Sequence, residues 1–301
     1  MNLRSTLSTL LLLAALLPAA RAANHVLEIK SAADYVTIPD SDSLDLAATF
    51  TLEAWVKGNP GEGAVVSKRR SEGGTGVRLA VIQGKVQIGF NNDPGGNRGI
   101  NVVVESPKLI EPGKWYHIAT TYDGTIAKVY INGSLEGSFE FSESLINSSM
   151  PMTIGQEGIP GGPGPFLGLI DEVRVWNRAL SAEEIQSRMS IQLTGEEPGL
   201  VGYWNFDDQT ASDRSVYRND GELIGGAQLV EDPLIFLQIH RAVEIISVSG
   251  SSTSTYQLQF KPDATADEWT NLGEPFTGGE PVQFFDSTRA GQKLYRAIRL
   301  Q

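Results

Sequence analysis

Two acids, Asp171 and Glu172, sit side by side in GLIDEVRVWNRALSAEEIQSRM, residues Gly168–Met189. Paired carboxylates are the equipment of glycoside hydrolysis, where retaining enzymes hold them about 5–5.5 Å apart across one bond. In a regular strand neighbouring side chains point to opposite faces. That alternation groups Asp171 with Leu169, Val173 and Val175, and Glu172 with Ile170, Arg174 and Trp176. The two acids are therefore expected to diverge and to serve as scaffold. Asp171 falls on the more apolar side, where a buried carboxylate needs donors or a cation. Backbone hydrogen bonds meet that need in one reading; calcium, which takes hard oxygen ligands, meets it in the other. Glu172 is expected to pair with Arg174 or with a neighbouring strand.

Other catalytic constellations are missing from the sequence. His25, His117 and His240 are widely separated, without zinc-ligand spacing. There is no nucleophile elbow and no phosphate loop, and Gly73–Gly76 reads as a plain turn. Polar loops occupy Ser67–Gly76, Asn91–Gly99 and Gln156–Pro165. Of these, Asn91, Asn92, Asp93 and Arg98 offer the mixed donors and acceptors that sugar hydroxyls use; a solvated hairpin tip is the alternative. Trp55, Trp115, Trp176 and Trp204 have faces that can stack on a sugar ring or fill a core, and for Trp115 and Trp176 their place in the strand motifs favours the core.

Composition narrows the partners. The chain carries 24 Lys+Arg against 36 Asp+Glu, a formal charge of -12. Residues 1–22 have a basic start at Arg4, an apolar run Leu10–Leu17 and Ala20-Arg21-Ala22, the pattern of an export signal cleaved before Ala23. The run is too short to span a bilayer, and no later stretch is long and apolar enough. Cleavage would remove Arg4 and Arg21 and no acid, taking the charge from -12 to -14. So acidic a surface argues against nucleic acid and anionic lipid. With no cysteine, disulfides, thiol catalysis and iron–sulfur centres are excluded.

The elements that must position these residues read as strands. FTLEAWVK puts Phe50, Leu52, Ala54 and Val56 on one face. GVRLAVIQGKVQIGF reads as two strands around Gly84. Trp115–Tyr122, Thr125–Ile131 and Ser134–Phe141 form a meander turned by Asp123-Gly124 and Asn132-Gly133. One helix is expected, with Ser181 and Glu184 as a capping box and Leu180 with Ile185 as its staple. Its inward face carries Ile185 and Met189. Many short strands, few helices and no βαβ rhythm predict an all-β, antiparallel sandwich over 23–230, a linker at 231–236 and a small β domain at 237–301.

DYVTIPDSDSLDLAATFTLEAWVK, GKWYHIATTYDGTIAKVYINGSLEG and GLIDEVRVWNRALSAEEIQ, in this order, resemble the laminin-G-like, concanavalin A-like jelly-roll family over roughly Ala23–Val230. The resemblance implies two stacked curved sheets and a role in ligand binding or adhesion, with sugars the commonest ligand. Some relatives are hydrolases with a Glu-x-Asp-x-x-Glu strand, which GLIDEVRVW lacks. GLVGYWNFDDQTASDRSVYRNDGELIGGA, which precedes the DYVTIP-type strand in many relatives, here follows the helix. Val201–Phe206 is therefore expected to close the sandwich beside the first strand, because Tyr203, Trp204 and Phe206 need burial; the stump of a second repeat is the alternative. TIGQEGIPGG, Thr153–Gly162, is similar to a pentraxin calcium loop at Gln156 and Glu157, but Ile159 stands where an acid is expected. In the tail, YQLQF, WTNLGEPF and the closing FFDSTRAGQKLYRAIRL resemble a C-terminal β module of exported proteins of some environmental bacteria, which implies attachment, spacing or stability.

The sequence thus predicts an exported, non-catalytic protein that binds extracellular glycan or a surface polymer at Asn91, Asn92, Asp93 and Arg98, with calcium at Asp171 and Glu157. Two other readings stay open: a divergent glycoside hydrolase, and a structural adhesin or envelope component with a protein partner.

Overall fold

A computed structural model describes residues 24–232 apart from 47, 60, 70–75, 92–101, 142–144, 146, 148 and 158–163, and strand segments between 244 and 300. The expected export signal and linker residues 233–236 lie outside the described residues. Fifteen strands build two antiparallel sheets. They are β1 (His25–Ile29), β2 (Tyr35–Ile38), β3 (Phe50–Gly58), β4 (Glu62–Arg69), β5 (Gly76–Ile82), β6 (Lys85–Asn91), β7 (Val102–Leu109), β8 (Tyr116–Tyr122), β9 (Ile126–Ile131), β10 (Ser134–Glu140), β11 (Met152–Ile154), β12 (Gly168–Trp176), β13 (Leu200–Trp204), β14 (Glu222–Ile224) and β15 (Gln228–Glu231). The first sheet runs β10-β9-β8-β3-β12-β1-β15, with β13 also on β12; the second runs β14-β2-β11-β4-β5-β6-β7. The architecture is the antiparallel sandwich that the alternation predicts and the jelly roll that the family resemblance implies.

The alternation also decides the core. Phe50, Leu52, Ala54 and Val56 of β3 face inward, with Val36 and Ile38 of β2, Leu79 and Val81 of β5, and Ile88 and Phe90 of β6 opposite. One end is closed by an aromatic knot in which Phe90 stacks on Phe141 at 5.6 Å and meets Phe50 edge-on at 6.0 Å. Trp204 is fully buried in this core.

The meander forms as expected, with one difference at its first turn. Asn132 and Gly133 both take positive φ (50° and 75°), as a two-residue hairpin requires. At Asp123-Gly124 only Gly124 does (92°). There the Asp123 carboxylate accepts from the backbone of Thr125 and Ile126 and from the Thr125 hydroxyl, so the turn takes in Thr125 and β9 starts at Ile126. β13 joins the sandwich by pairing with β12 from Val173↔Trp204 to Trp176↔Leu200, end-on to β1, which pairs with the first residues of β12.

The helix α1 (Ala182–Arg188) is held by the expected capping box: the Glu184 N–H donates to Ser181 Oγ, and the Ser181 N–H donates to Glu184 Oε2. Leu180 and Ile185 are both buried beneath it, and Met189 is half-buried at its C-cap. In the tail, β16 (Glu244–Val248) pairs with β20 (Val282–Asp286), and β17 (Thr255–Lys261) pairs with β18 (Thr270–Asn271), β19 (Phe276–Thr277) and β21 (Leu294–Leu300).

Candidate functional site

Each sheet has an outer face, and the two are finished differently. The outer face of the first sheet is sealed. Residues 177–198, including α1, lie across it as a strap. Thr51 Oγ1 accepts from the Leu180 N–H and donates to the Arg178 carbonyl, and Trp55 Nε1 donates to the Met189 carbonyl at 2.7 Å. The central clamp is Arg174. Its guanidinium donates to the carbonyls of Arg188 (2.8 Å) and Ile191 (2.7 Å) and to Glu172 Oε2 (2.5 Å), with Glu53 Oε1 at 3.7 Å. Burial works against the Arg174 charge, but Glu172 and Glu53 outweigh it and hold the pKa above the ordinary value. Burial likewise opposes ionisation of Glu53, yet His117, Arg174 and Trp176 bring its pKa below the usual carboxylate range.

This face corrects the expected divergence of Asp171 and Glu172. β12 carries a bulge: Asp171 pairs with Trp55 and Arg174 with Glu53, leaving Glu172 and Val173 opposite Ala54 alone. Glu172 takes φ 51° to make it. The parity then shifts, so Ile170, Val173 and Val175 face the core while Asp171, Glu172, Arg174 and Trp176 all belong to the outer side. The two acids share a side, yet neither meets an open groove. Glu172 is bound by Arg174 and by the Tyr203 hydroxyl (2.9 Å), and Asp171 accepts from Asn24 Nδ2 (3.2 Å) and the Glu172 N–H (2.7 Å). Asp171 is fully buried; burial first, then the neighbouring Glu172, pushes its carboxyl well above the usual range. A resident divalent cation would need several oxygen ligands around it. Among the described residues no group of three or more Asp, Glu or His is disposed to supply them.

The outer face of the second sheet is a polar surface built across strands. Thr37 of β2 pairs with Thr153 of β11, Thr153 with Ser67 of β4, Ser67 with Arg78 of β5, and Arg78 with Gly89 of β6. Their chain neighbours Val36, Ile154, Val66, Leu79 and Ile88 fill the core, so this row points outward. At the usual strand spacing it runs about 19 Å. A second row holds Gln87, whose Nε2 donates to Glu105 Oε2 at 3.1 Å. The centre is buried and the flanks open: Ser67, Arg78 and Thr153 are buried, Thr37 is half-buried and Glu105 is exposed.

Glu157 lies over this centre. Both its carboxylate oxygens take Arg78 Nη1, at 3.1 and 3.3 Å, and its side chain is 1% exposed. Thr153 Oγ1, 2.5 Å from the Gln156 carbonyl, ties the segment to the sheet. Glu157 is thus placed against a guanidinium, and it does not share a site with Asp171. Ser67 Oγ and Gln156 Oε1 are buried without a hydrogen-bond partner among the described residues. An unpaired buried polar atom costs about 1–3 kcal/mol, which makes it a place where water or a ligand hydroxyl is welcome.

Of the predicted ligand residues, Asn91 ends β6, paired with Gly76 on β5, while Asn92, Asp93 and Arg98 lie outside the described residues, as does Ile159. Sequence reasoning missed Arg78, Ser67, Gln87 and Thr153. A signal was present: in GVRLAVI the one charge sits between Val77 and Leu79, at the outward beat of a strand too apolar to be an edge. The four tryptophans named above are all buried.

No helix among the described residues is long and apolar enough to cross a membrane. Over 205 residues, 61% of this chain, the sequence is 25% identical to adhesion G-protein coupled receptor V1 of Danio rerio, and spans only 3% of that receptor's length. Two solved structures share the fold. A protein of Bacteroides ovatus described as carbohydrate binding superposes with a TM-score of 0.55 at 18% identity, over 70% of this chain and 60% of its own. The heptameric SAP-like pentraxin of Limulus polyphemus superposes with a TM-score of 0.50 at 17% identity, over 71% of this chain and 98% of its own. Residues 30–186 match the Laminin_G_3 family model, more than half of the 301 residues, and the chain belongs to this family, the concanavalin A-like lectin/glucanases superfamily.

Proposed function

We propose that this protein is an exported, non-catalytic glycan-binding module that holds its ligand on the outer face of the second sheet. The observation that carries this reading is the transverse row Thr37–Thr153–Ser67–Arg78, with Gln87 beside it: hydroxyls, an amide and a guanidinium aligned across strands, with Ser67 Oγ and Gln156 Oε1 lacking hydrogen-bond partners among the described residues. Such a row suits a chain of sugar hydroxyls. The strand β6 leads directly into Asn92, Asp93 and Arg98, which on this reading complete the site. The Bacteroides ovatus neighbour supports a carbohydrate ligand. Export rests on the pattern of residues 1–22. The absence of catalysis rests on the commitment of both Asp171 and Glu172 to buried partners under the strap. The likeness to an adhesion receptor supports a second reading, attachment to a protein partner.

Glycan-array screening followed by calorimetry on the hits tests the proposal. Ser67→Ala and Gln87→Ala are each expected to weaken binding roughly tenfold, the equivalent of one buried hydrogen bond. A chain that binds no polysaccharide, or that binds one with both variants unaffected, would refute it. Capture of a protein ligand that no sugar competes away would favour the adhesive reading.

A further inference from the structure

We infer that Tyr35, Thr37 and Glu222 form the entry subsite of the polar face, shaped to take one neutral pyranose with free neighbouring hydroxyls. The inference rests on the glycan reading above and adds where on that face the sugar first lands and what it must carry.

The subsite follows from register. Val36 and Ile38 of β2 fill the core, so Tyr35 and Thr37 point outward. β14 pairs Glu222 with Thr37 and Ile224 with Tyr35, and residues directly opposite each other share a face. Glu222 therefore extends the row Thr37–Thr153–Ser67–Arg78 by one strand, onto β14, where the sheet ends. Here the face is open. Glu222 is exposed and Tyr35, Thr37 and Ile224 are half-buried, whereas Thr153, Ser67 and Arg78 are buried. Among the described residues no hydrogen bond or ion pair engages the side chains of Tyr35, Thr37 or Glu222. Opposed side chains stand about 4.5–5.5 Å apart and diagonal ones about 7–8 Å, so one sugar ring can reach all three. Each brings a different handle. The Tyr35 ring offers an apolar face with a polar tip. A carboxylate accepts from two neighbouring hydroxyls at once, and a threonine hydroxyl both donates and accepts. Glu222 also sets selectivity, since it accepts from hydroxyls and repels a carboxylate or sulfate.

The two strands are fixed before any ligand arrives. The buried Asp34 carboxylate accepts from the N–H groups of Lys30 (3.1 Å), Ser31 (2.8 Å) and Gly226 (2.8 Å), which ties the start of β2 to the turn after β14. Gly225 makes that turn at φ 69°, so near the Ala33 carbonyl that a Cβ would lie 2.1 Å from its oxygen. A platform formed in advance spares the ordering cost of binding.

Titration calorimetry of the full chain with neutral gluco-, manno- and galacto-hexasaccharides and with hexagalacturonate tests the subsite. For the neutral sugar bound best, Tyr35→Ala and Glu222→Gln are each expected to weaken binding roughly tenfold, and Tyr35→Phe by less than about twofold. Hexagalacturonate is expected to bind the native chain weakest of the four, and Glu222→Gln to narrow that gap. Circular dichroism melts that coincide with the native curve separate lost contact from lost fold; if Tyr35→Ala melts lower, Tyr35→Leu, which keeps bulk without the ring, replaces it. Binding that survives Tyr35→Ala and Glu222→Gln but falls with Ser67→Ala or Gln87→Ala overturns this inference and leaves the glycan reading standing. Binding that falls with the first pair and not with the second keeps the subsite and refutes the central row. A native chain that prefers hexagalacturonate overturns the inference. One that binds none of the four overturns it as well, and the glycan array then decides the wider reading by itself.

Discussion

Arg174 provides the sharpest test of how the strap is held. Replacing it by Met keeps the aliphatic stem and removes the guanidinium. Glu172, with a side-chain exposure of 8%, then loses its cation in a place where water cannot replace it, and Glu53, with 0%, is left with His117 and Trp176. The carbonyls of Arg188 and Ile191 lose their donor as well. Removing one partner of a buried pair costs about 3–5 kcal/mol, because the other is left charged and unsolvated. For a domain of this size each kcal/mol is worth roughly 2–4 °C, so Tm should fall by about 6–20 °C. Circular dichroism melts at neutral pH measure the loss. Hydrogen exchange over 188–193 locates it, since those carbonyls are what the guanidinium ties down. The double variant Arg174→Met with Glu172→Gln should recover part of the loss, because it removes one stranded charge. A loss below about 1 kcal/mol, the value of an exposed pair, would refute the claim that this network is sealed from solvent.

The capping box makes Ser181→Ala cost about 1 kcal/mol, measurable by urea unfolding. Glu184 adds a pH dependence: the Arg178 guanidinium, then the cap N–H and Arg188, hold its pKa at about 2 against an ordinary 4.5. A depressed carboxylate contributes stability above its unfolded pKa and loses it as pH falls through the folded one. Glu184→Gln should therefore flatten the stability profile between pH 4.5 and about 2, by about 1 kcal/mol once solvent screening of this partly exposed group is counted. Asp171 carries the opposite sign. Its pKa is raised by burial and by Glu172, so the folded protein holds its proton more tightly and loses stability as pH climbs above the ordinary carboxylate range. Asp171→Asn is expected to melt at or above the native temperature at neutral pH, with the difference shrinking in acid; a loss of stability that grows with pH would show instead that the ionised carboxylate is needed.

The sandwich was legible because its signals are local. The period-two alternation of FTLEAWVK, the Asn132-Gly133 turn and the Ser181–Glu184 box each needs only a few neighbouring residues, and each is found in place. The faces of Asp171 and Glu172 were not legible for the reason that makes alternation useful. One inserted residue reverses every assignment beyond it, and nothing in Ile170-Asp171-Glu172-Val173 announces a bulge. Its left-handed residue is a glutamate, φ 51°, where a glycine would have been a signal. The transverse row Thr37–Thr153–Ser67–Arg78 was hidden for another reason. Its members come from four strands spread over more than a hundred residues, and only the register between β2, β11, β4 and β5 aligns them.

The contrast between the two outer faces follows from what each carries beneath its cover. On the first sheet Arg174 is held by Glu172 and two strap carbonyls, Trp176 Nε1 by Glu53, and Tyr203 by Glu172, while Glu53 Oε2, Trp115 Nε1, both His117 ring nitrogens, Arg174 Nε and Ser190 Oγ have no hydrogen-bond partner among the described residues. A ligand arriving there would have to displace bonds that hold the strap, at the cost of leaving charges stranded. On the second sheet the Arg78–Glu157 pair is buried, and the hydroxyl of Ser67 and the amide oxygen of Gln156 beside it have no hydrogen-bond partner among the described residues. Both atoms are buried, and on the proposed reading a neutral, hydroxyl-rich ligand meets the open flanks, Thr37 and Glu105, first. An anionic one would compete with Glu157 for the guanidinium and meet the repulsion of a chain with a formal charge of -12. On the proposed reading, the chemistry of this face therefore favours uncharged sugars over acidic ones.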